Sequence, residues 1–272
     1  MENSRSAAFF LSPGRCGTQW LADALAEHYT DKAEVTHEPL REAYAARIML
    51  RQYDYTVEPA RSPELYRHAL HIRHTLAERL YIETGWTSYA ALPWLDKMLD
   101  GRLRVVHLVR HPVHVALSLA THNIYGRKDW IEHCIPRPGD PGVDWQTLAE
   151  SWQQLNMYEK CLLWWTEINL YGLELAERFG ADRYLLVRAE DMFNPQHPAL
   201  ASLVEFIGLP YEESVRHVQS KTVDKHQQLR TPPVDWEAIR QYPETMSLLE
   251  RFGYRLDTID SEKISQRYFS QR

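Results

Sequence analysis

The first feature of this sequence that suggests chemistry is a glycine loop that carries an arginine. The loop, SPGRCGT, follows the apolar run AAFFL (7–11) and holds Arg15 between Gly14 and Gly17. A helical pattern follows at once, and a glycine loop at a helix N-terminus binds anions through its backbone N–H groups. Nucleotide kinases place a lysine directly after the second glycine of such a loop, whereas this sequence has Thr18 there. The sequence therefore predicts a phosphate-binding loop that lacks the standard groups for a magnesium-bound triphosphate.

A second basic group follows another apolar run. The run RVVHLVR (104–110) ends in Arg110, and Pro112 suits the first turn of a following helix. Ser118 comes eight residues after Arg110, two turns into that helix. An arginine at a strand end and a hydroxyl on the next helix could converge on one anion. We therefore expect a second phosphate site here.

Three side chains near strand ends are candidates for moving a proton. They are His37 and Glu38, at the end of the second apolar run, and Glu83, near the end of the third. Side chains of these types can accept a proton from a ligand within hydrogen-bond reach. Because successive side chains of a strand point to opposite faces, we expect His37 to face away from Glu38.

These groups are positioned by strands that alternate with helices. Alternation of this kind predicts an α/β fold, here a P-loop-like three-layer fold with a roughly five-stranded parallel sheet flanked by helices. In open parallel sheets, ligands bind beyond the carboxyl ends of the strands, where the charged groups of this sequence collect. The predicted strands are 7–12, 33–38, 79–85, 104–110 and 183–190. The predicted helices are 21–29, 43–52, 63–79, 89–99, 113–121, a Trp-rich segment 144–179, and 237–252, before a polar tail.

Composition limits the classes of protein that fit. The 272 residues, 44% of them hydrophobic, predict one domain over 1–272, which includes a long helical segment (142–180) and a C-terminal helical part (210–256). The net charge of −6 argues against a nucleic-acid binder, and the sequence has no apolar run long enough to span a membrane. Its three cysteines form neither a zinc pattern nor a disulfide framework, so we expect a cytoplasmic protein. The oligomeric state is left open.

Taken in order, the motifs resemble those of the sulfotransferases that depend on 3′-phosphoadenosine 5′-phosphosulfate (PAPS), and the chain is similar to soluble bacterial members. PGRCGTQW resembles the 5′-phosphosulfate loop, and VRHPVHVALS resembles the 3′-phosphate motif. LLVRAEDMFNP and KTVDKHQQLRTPPVDWEAI are similar to later segments of the family. The sequence departs from the family at Cys16, Gln19 and Ala189, where Ser, Thr and Tyr are usual.

The resemblance implies transfer of a sulfuryl group from PAPS to a hydroxyl or amine of a small-molecule acceptor, leaving 3′,5′-diphosphoadenosine (PAP). Arg15 would act on the 5′-phosphate and the bridging oxygen. Glu38 matches the base of the Golgi-type and several bacterial branches, while His37 and Glu83 remain alternatives. No metal is expected, because a sulfuryl group carries less charge than a phosphoryl group and arginines and amides can stabilise it. The implied cofactor-binding residues are Gly14, Arg15, Cys16, Gly17, Thr18, Gln19, Trp20, Arg110, Ser118 and Lys225.

Two other functions fit parts of the pattern. A P-loop nucleotide kinase would need the missing lysine, and a non-catalytic nucleotide-binding module would not need candidate bases beside Arg15. The acceptor itself is not readable, although a neutral or cationic metabolite of a secondary pathway suits the acidic balance of the chain. Aromatic residues between the strands could line its pocket or simply pack in the core. They are Tyr44, Tyr53, Tyr55, Trp86, Tyr89, Trp94, Tyr125 and Trp130.

Overall fold

The computed structural model describes residues 5–54, 57, 60–145, 149–217 and 228–270. Its sheet has five parallel strands in the order β2-β3-β1-β4-β5, flanked by helices, which confirms the predicted fold class. The strands are β1 (Ala7–Leu11), β2 (Ala33–His37), β3 (Leu80–Thr84), β4 (Leu103–Val109) and β5 (Tyr184–Arg188).

The central strands explain why the two phosphate motifs meet. β1 is buried along its whole length and β4 along nearly all of it, as expected for strands covered on both faces. β1 pairs with β3 on one side and with β4 on the other, so the chain changes direction in the sheet at β1. A crevice forms at the carboxyl ends of the strands at such a switch point. The loops that follow β1 and β4 therefore lie side by side.

The helices follow the predicted order, with bounds that differ in places. They are α1 (Thr18–His28), α2 (Ala46–Met49), α3 (Pro63–Glu78), α4 (Leu92–Met98), α5 (Pro112–Thr121), α6 (Met157–Phe179), α7 (Ala189–Met192), α8 (Ala199–Phe206), α9 (Pro243–Arg251) and α10 (Ser261–Tyr268). The 3₁₀ turns are Arg41–Tyr44, Tyr89–Ala91, Ile124–Gly126, Trp130–His133, Glu213–His217, Trp236–Gln241 and Leu256–Thr258. Among the described residues, no helix combines the length and apolar character needed to cross a membrane.

Two predicted helical segments differ from the structure. The long helix does not occupy 142–180, because α6 begins only at Met157, where Asn156 and Glu159 form a capping box. The predicted helix 43–52 is interrupted at Ala45, whose φ of 51° is left-handed. In the described residues of the predicted C-terminal helical part (210–217 and 228–256), the structure has α9 and short 3₁₀ turns.

The polar tail predicted after residue 252 contains a helix that was not predicted, α10. Asp260 caps this helix by accepting hydrogen bonds from the N–H groups of Glu262 and Lys263. Ile264 and Tyr268, four residues apart, are its buried residues. The rest of the segment is polar. Because this one pair of side chains is its whole apolar face, the sequence shows no clear helical period here.

Candidate active site

A cavity of about 840 Å³ opens at the carboxyl ends of the strands. Its walls come from the segments that follow the five strands, together with α6 and the end of α10. Of the sequence-predicted site residues, it contains Gly14, Arg15, Gly17, Thr18, Gln19, Trp20, His37, Glu38, Arg110 and Ser118. Cys16 and Glu83 do not line it, and Lys225 lies outside the described residues.

The glycine loop is held in a conformation that suits glycine. Gly14 and Gly17 have φ of 85° and 88°, and Arg15 between them has φ of 62°. Gly17 is also the N-cap of α1, and no side chain caps that helix. A Cβ at Gly17 would lie 2.5 Å from the ring of Phe193. The loop can approach Phe193 closely only because this position has no side chain.

Hydrogen bonds join the two predicted phosphate motifs into one unit. Arg15 Nε donates to Ser118 Oγ at 3.0 Å, and Arg110 Nη1 donates to the backbone oxygen of Arg15 at 2.7 Å. Two indoles on α6 support the same loops: Trp164 donates to the oxygen of Pro13, and Trp165 donates to the oxygen of Arg110, each at 2.9 Å. The loop after β1 and the start of α5 are therefore positioned together.

Cys16 contributes its backbone, not its thiol, to this loop. The side chain is buried, and its Sγ donates to the oxygen of Gly14 at 3.3 Å. Burial raises the pKa of the Cys16 thiol to about 12, although Arg110 and Arg15 lower it. The thiol is therefore protonated at neutral pH and is not a nucleophile.

His37 and Glu38 both line the cavity, contrary to the expectation from strand alternation. β2 ends at His37, and Glu38 adopts a left-handed φ of 49°, so the alternation does not continue to Glu38. The two side chains approach each other, with His37 Nε2 at 3.8 Å from Glu38 Oε1. Gly85 makes room for the carboxylate, because a Cβ there would lie 2.5 Å from Glu38 Cγ.

The surroundings of these two residues change their proton affinities. Burial raises the pKa of Glu38 to about 7, and Glu83 adds to this, while Arg41 and Arg15 oppose it. Burial lowers the pKa of His37, and Asp23 partly opposes that shift. At neutral pH Glu38 can thus take up and release a proton, while His37 is mostly uncharged.

The hydrogen bonds of Thr84 assign the tautomer of His37. Thr84 Oγ1 donates to the backbone oxygen of Thr36 at 3.3 Å and lies 2.9 Å from His37 Nδ1. A hydroxyl has a single proton to donate, so Nδ1 must be the donor in the second contact. We therefore assign the proton of neutral His37 to Nδ1. The lone pair of Nε2 then faces Glu38.

Glu83, the third candidate base, is held away from the cavity. Its side chain is only 1% exposed. The hydroxyls of Tyr44 and Tyr81 donate to its two carboxylate oxygens, and His68 Nε2 lies 3.0 Å from Oε2. These partners hold the side chain of Glu83, which is on β3, against α3. It affects the cavity only through its charge near Glu38.

Three tryptophans form an aromatic wall of the cavity, and the backbone of one of them, Trp86, contacts Glu38. The ring of Trp86 lies 6.2 Å from that of Trp130 and 5.8 Å from that of Trp164, measured between centroids. Arg41 lies over the face of Trp130. This aromatic end of the cavity is completed by Leu119, Ile124, Ile131 and Ile135.

Of the aromatic residues singled out from the sequence, Trp86 and Trp130 line the cavity. Three others, Tyr44, Tyr89 and Trp94, are buried in the core. Tyr53 donates to Glu174, Tyr125 packs against Trp152, and Tyr55 lies outside the described residues. Trp164, on α6, also lines the cavity, although no motif in the sequence marks it.

Trp20 lines another part of the cavity. Its ring meets the edge of Phe193 at 5.1 Å between centroids. Arg267 and Tyr268, from the end of α10, also line the cavity. Phe193, Arg267 and Tyr268 were not predicted as site residues. Phe193 directly follows the RAEDM motif, which was a usable signal, whereas nothing in the tail marked Arg267.

The charge of the lining suits an anion. Arg15, Arg110, Arg127 and Arg267 line the cavity, and Glu38 is the single carboxylate among the described lining residues. This excess of positive charge stands in a chain whose net charge is −6. In the part of the chain that the structure describes, no group of three or more His, Cys, Asp or Glu side chains could hold a metal ion.

Comparison with known proteins agrees with this geometry. The model of the sulfotransferase domain family matches residues 5–234. The sulfotransferase domain of the olefin synthase from Synechococcus PCC 7002 superposes with a TM-score of 0.54 at 18% identity, over 94% of this chain and 98% of that chain. The sulfotransferase domain from the curacin biosynthetic pathway gives 0.51 at 16% identity, over 93% and 99%. A sulfotransferase from Alicyclobacillus acidocaldarius gives 0.50 at 15% identity, over 93% and 98%.

At these identities, the solved structures show a shared fold. No curated protein sequence matches the chain significantly. The family model covers all five strands and both phosphate motifs. The chain therefore belongs to the sulfotransferase domain family, and the enzyme class expected from its sequence, a PAPS-dependent sulfotransferase, is confirmed.

Proposed function

We propose that this enzyme transfers the sulfuryl group of PAPS to a hydroxyl or amine of a small neutral acceptor, with Glu38 as the general base. One observation carries the proposal. The side chain of Arg15 is bound to Ser118, its backbone is bound to Arg110, and Glu38 lines the same cavity. Sulfuryl transfer requires basic groups that stabilise negative charge and, beside them, a carboxylate that can accept a proton.

The cavity fits PAPS in charge and in the placement of its donors. The uncapped start of α1 and the loop amides would hold the 5′-phosphosulfate with Arg15. Arg110 and Ser118 would hold the 3′-phosphate, and Trp20 the adenine. When bound, PAPS supplies the sulfuryl group and leaves as PAP.

The chain's own groups stabilise negative charge in this site. Arg15 is oriented by Ser118, so its guanidinium needs little rearrangement to interact with an anion. The N–H groups at the start of α1 add the positive end of the helix dipole. Arginine and backbone amides together neutralise negative charge on the bound group. A kinase obtains part of this neutralisation from a lysine and magnesium.

Glu38 would take the proton of the acceptor. A base is most effective when its pKa lies near the working pH, and the pKa of Glu38 is raised to about 7. His37 would assist, because its Nε2 lone pair lies 3.8 Å from Glu38 Oε1. After a small adjustment, protonated Glu38 could donate a hydrogen bond to that nitrogen. His37 thus acts on the acceptor only through Glu38.

The acceptor would bind at the aromatic end of the cavity. Trp86, Trp130 and Trp164 offer flat apolar surface, and the backbone of Trp86 contacts Glu38. Glu38 is needed as the base, and the described lining has no second carboxylate for a cationic group. A neutral acceptor with an apolar or flat body therefore suits this end better than a cationic one.

The wider biological setting is also part of the proposal. Two structural neighbours are described as domains of an olefin synthase and of the curacin biosynthetic pathway. A role in small-molecule biosynthesis is consistent with the size of the cavity. We also propose that residues 1–272 form one sulfotransferase domain, since α10, which follows the family match, packs on α5. A cytoplasmic location remains a prediction from cysteine usage.

Calorimetric titration separates this function from the kinase alternative. PAP should bind without magnesium, and ATP should bind much more weakly, with or without magnesium, because it lacks the 3′-phosphate. Screening of neutral and cationic alcohols and amines with PAPS would then identify the acceptor class. Tighter binding of ATP with magnesium than of PAP would overturn the proposed function.

A further inference from the structure

The C-terminal helix α10 reaches the cavity although it lies beyond the part of the chain that the family model matches. The family match ends at residue 234, and α10 spans Ser261–Tyr268. The last two residues of the helix, Arg267 and Tyr268, line the cavity. These two lining residues therefore lie outside the segment that the family model describes.

Contacts of Tyr268 show which end of the cavity α10 reaches. Its hydroxyl lies 3.5 Å from His114 Nδ1, and the two rings are 6.2 Å apart between centroids. His114 is on α5, one helical turn before Ser118. Burial lowers the pKa of His114, and the nearby positive charge of Arg110 lowers it further. The end of α10 thus lies at the Arg110–Ser118 end of the cavity.

The end of α10 is fixed by its backbone. The N–H of Thr231 donates to the oxygen of Tyr268 at 2.8 Å, and the N–H of Ser270 donates to the oxygen of Thr231 at 3.0 Å. Ile264 and Tyr268 are buried, so the helix is also held by its apolar pair. Arg267 therefore leaves a fixed backbone, and its guanidinium lies 5.1 Å from the centroid of the Tyr268 ring.

We infer that α10 completes the donor site and that Arg267 binds the 3′-phosphate of PAPS together with Arg110 and Ser118. This inference rests on the proposed function. A phosphate monoester carries between one and two negative charges near neutral pH, more than one arginine neutralises. Arg267 supplies a second guanidinium at that end of the cavity, and Tyr268 sets its position.

The test compares ligands that differ only in the 3′-phosphate. The full-length enzyme and its Arg267→Ala variant are titrated with PAP and with adenosine 5′-monophosphate. Loss of a charge-assisted hydrogen bond should weaken PAP binding by about 10- to 100-fold and leave binding of the monophosphate nearly unchanged. Arg267→Lys, which keeps the charge, should recover part of the loss.

Lys263 provides the matched control. It is a highly exposed cation on the same helix, paired with Asp260 at the surface. Lys263→Ala should bind PAP like the unaltered enzyme, which excludes a general effect of net charge. Thermal unfolding of all variants shows whether α10 still folds.

Each outcome decides a different point. If Arg267→Ala binds PAP as tightly as the unaltered enzyme, or loses affinity for both ligands equally, Arg267 is not a ligand of the 3′-phosphate. If the unaltered enzyme does not prefer PAP over adenosine 5′-monophosphate, the proposed function fails, and the inference that rests on it fails as well.

Discussion

Replacing Glu38 by Gln removes the proposed base while keeping the shape of its side chain. Removal of a general base typically lowers turnover by a factor of about 10² to 10⁴. His37 Nε2 lies 3.8 Å from Glu38 Oε1 and carries a lone pair in the assigned tautomer, so it can partly replace the lost carboxylate. We therefore expect a loss near the lower limit, about 100-fold in kcat. The affinity for PAP should stay within about twofold, because catalysis and donor binding use different groups.

The pH dependence of the same variant tests the role more sharply. The pKa of Glu38 is raised to about 7, mainly by burial. In the unaltered enzyme, kcat/KM should therefore rise with pH and level off above this value, because only the carboxylate accepts a proton. In Glu38→Gln this rise should disappear. A retained rise in the variant would assign that ionisation to another group.

The stability of Glu38→Gln distinguishes a catalytic role from a structural one. A pKa of about 7 in the fold, against an ordinary value of 4.5, means that ionised Glu38 destabilises the folded state. At roughly 1.36 kcal/mol per unit, the difference amounts to about 3 kcal/mol. The contribution of Glu38 to the free energy of unfolding is therefore greatest at a pH below its ordinary pKa of 4.5. This contribution is lost as the pH rises through about 7. Glu38→Gln should therefore unfold at a higher temperature than the unaltered enzyme at pH 8, and at a similar temperature at pH 4.

The combined result to look for is low turnover with equal or higher stability at pH 8. Activity would be followed as PAP formed from PAPS in the presence of an acceptor, and unfolding by scanning calorimetry. Normal turnover in Glu38→Gln would refute the assignment of the base. Lower turnover together with lower stability at pH 8 would show that Glu38 supports the fold instead.

Three further substitutions test the glycine loop and Arg110. Arg110→Ala should weaken PAP by roughly 1–3 kcal/mol in calorimetry, since it removes a charged hydrogen bond, with little effect on adenosine 5′-monophosphate; equal losses for both ligands would contradict its assignment to the 3′-phosphate. Gly17→Ala should lower both stability and PAP affinity, because its Cβ would lie 2.5 Å from Phe193 at a φ of 88°. Adding Phe193→Ala should relieve the clash but not the backbone strain. Full recovery in the double variant, or no loss in Gly17→Ala alone, would be inconsistent with this geometry. Cys16→Ser should change PAP affinity less than about threefold, since the thiol contacts the oxygen of Gly14 rather than the cavity; a larger change would mean that this side chain reaches the ligand.

Much of the fold was predictable because its strands are short apolar runs. β1 and β4 are covered on both faces, so their sequences are almost continuously apolar and stand out from the helical patterns around them. The neighbouring positions of Arg15 and Arg110 followed from the general rule that ligands bind at the carboxyl ends of parallel strands. The direct bond between Arg15 and Ser118 did not follow, since it depends on rotamers.

What the sequence could not supply depends on single backbone angles and on sparse patterns. The left-handed φ of Glu38 brings it to the same cavity as His37, and nothing in the letters THEP marks that angle. Burial of Glu83 beneath two tyrosines is likewise a tertiary effect. α10 was missed because its packed face is one pair of residues, Ile264 and Tyr268, in an otherwise polar stretch.

The most direct test of the proposed function is whether the enzyme forms PAP and a sulfated product from PAPS when metal is removed by a chelator. The assay pairs the unaltered enzyme with Arg15→Ala and follows both products by mass spectrometry across a panel of neutral apolar alcohols. We expect equal amounts of PAP and sulfated acceptor from the unaltered enzyme, and a loss of at least about 100-fold in Arg15→Ala, because Arg15 stabilises the charge that develops in transfer. Unchanged transfer by Arg15→Ala would contradict the proposed mechanism, and phosphorylated acceptor from ATP in place of sulfated acceptor from PAPS would contradict the proposed function.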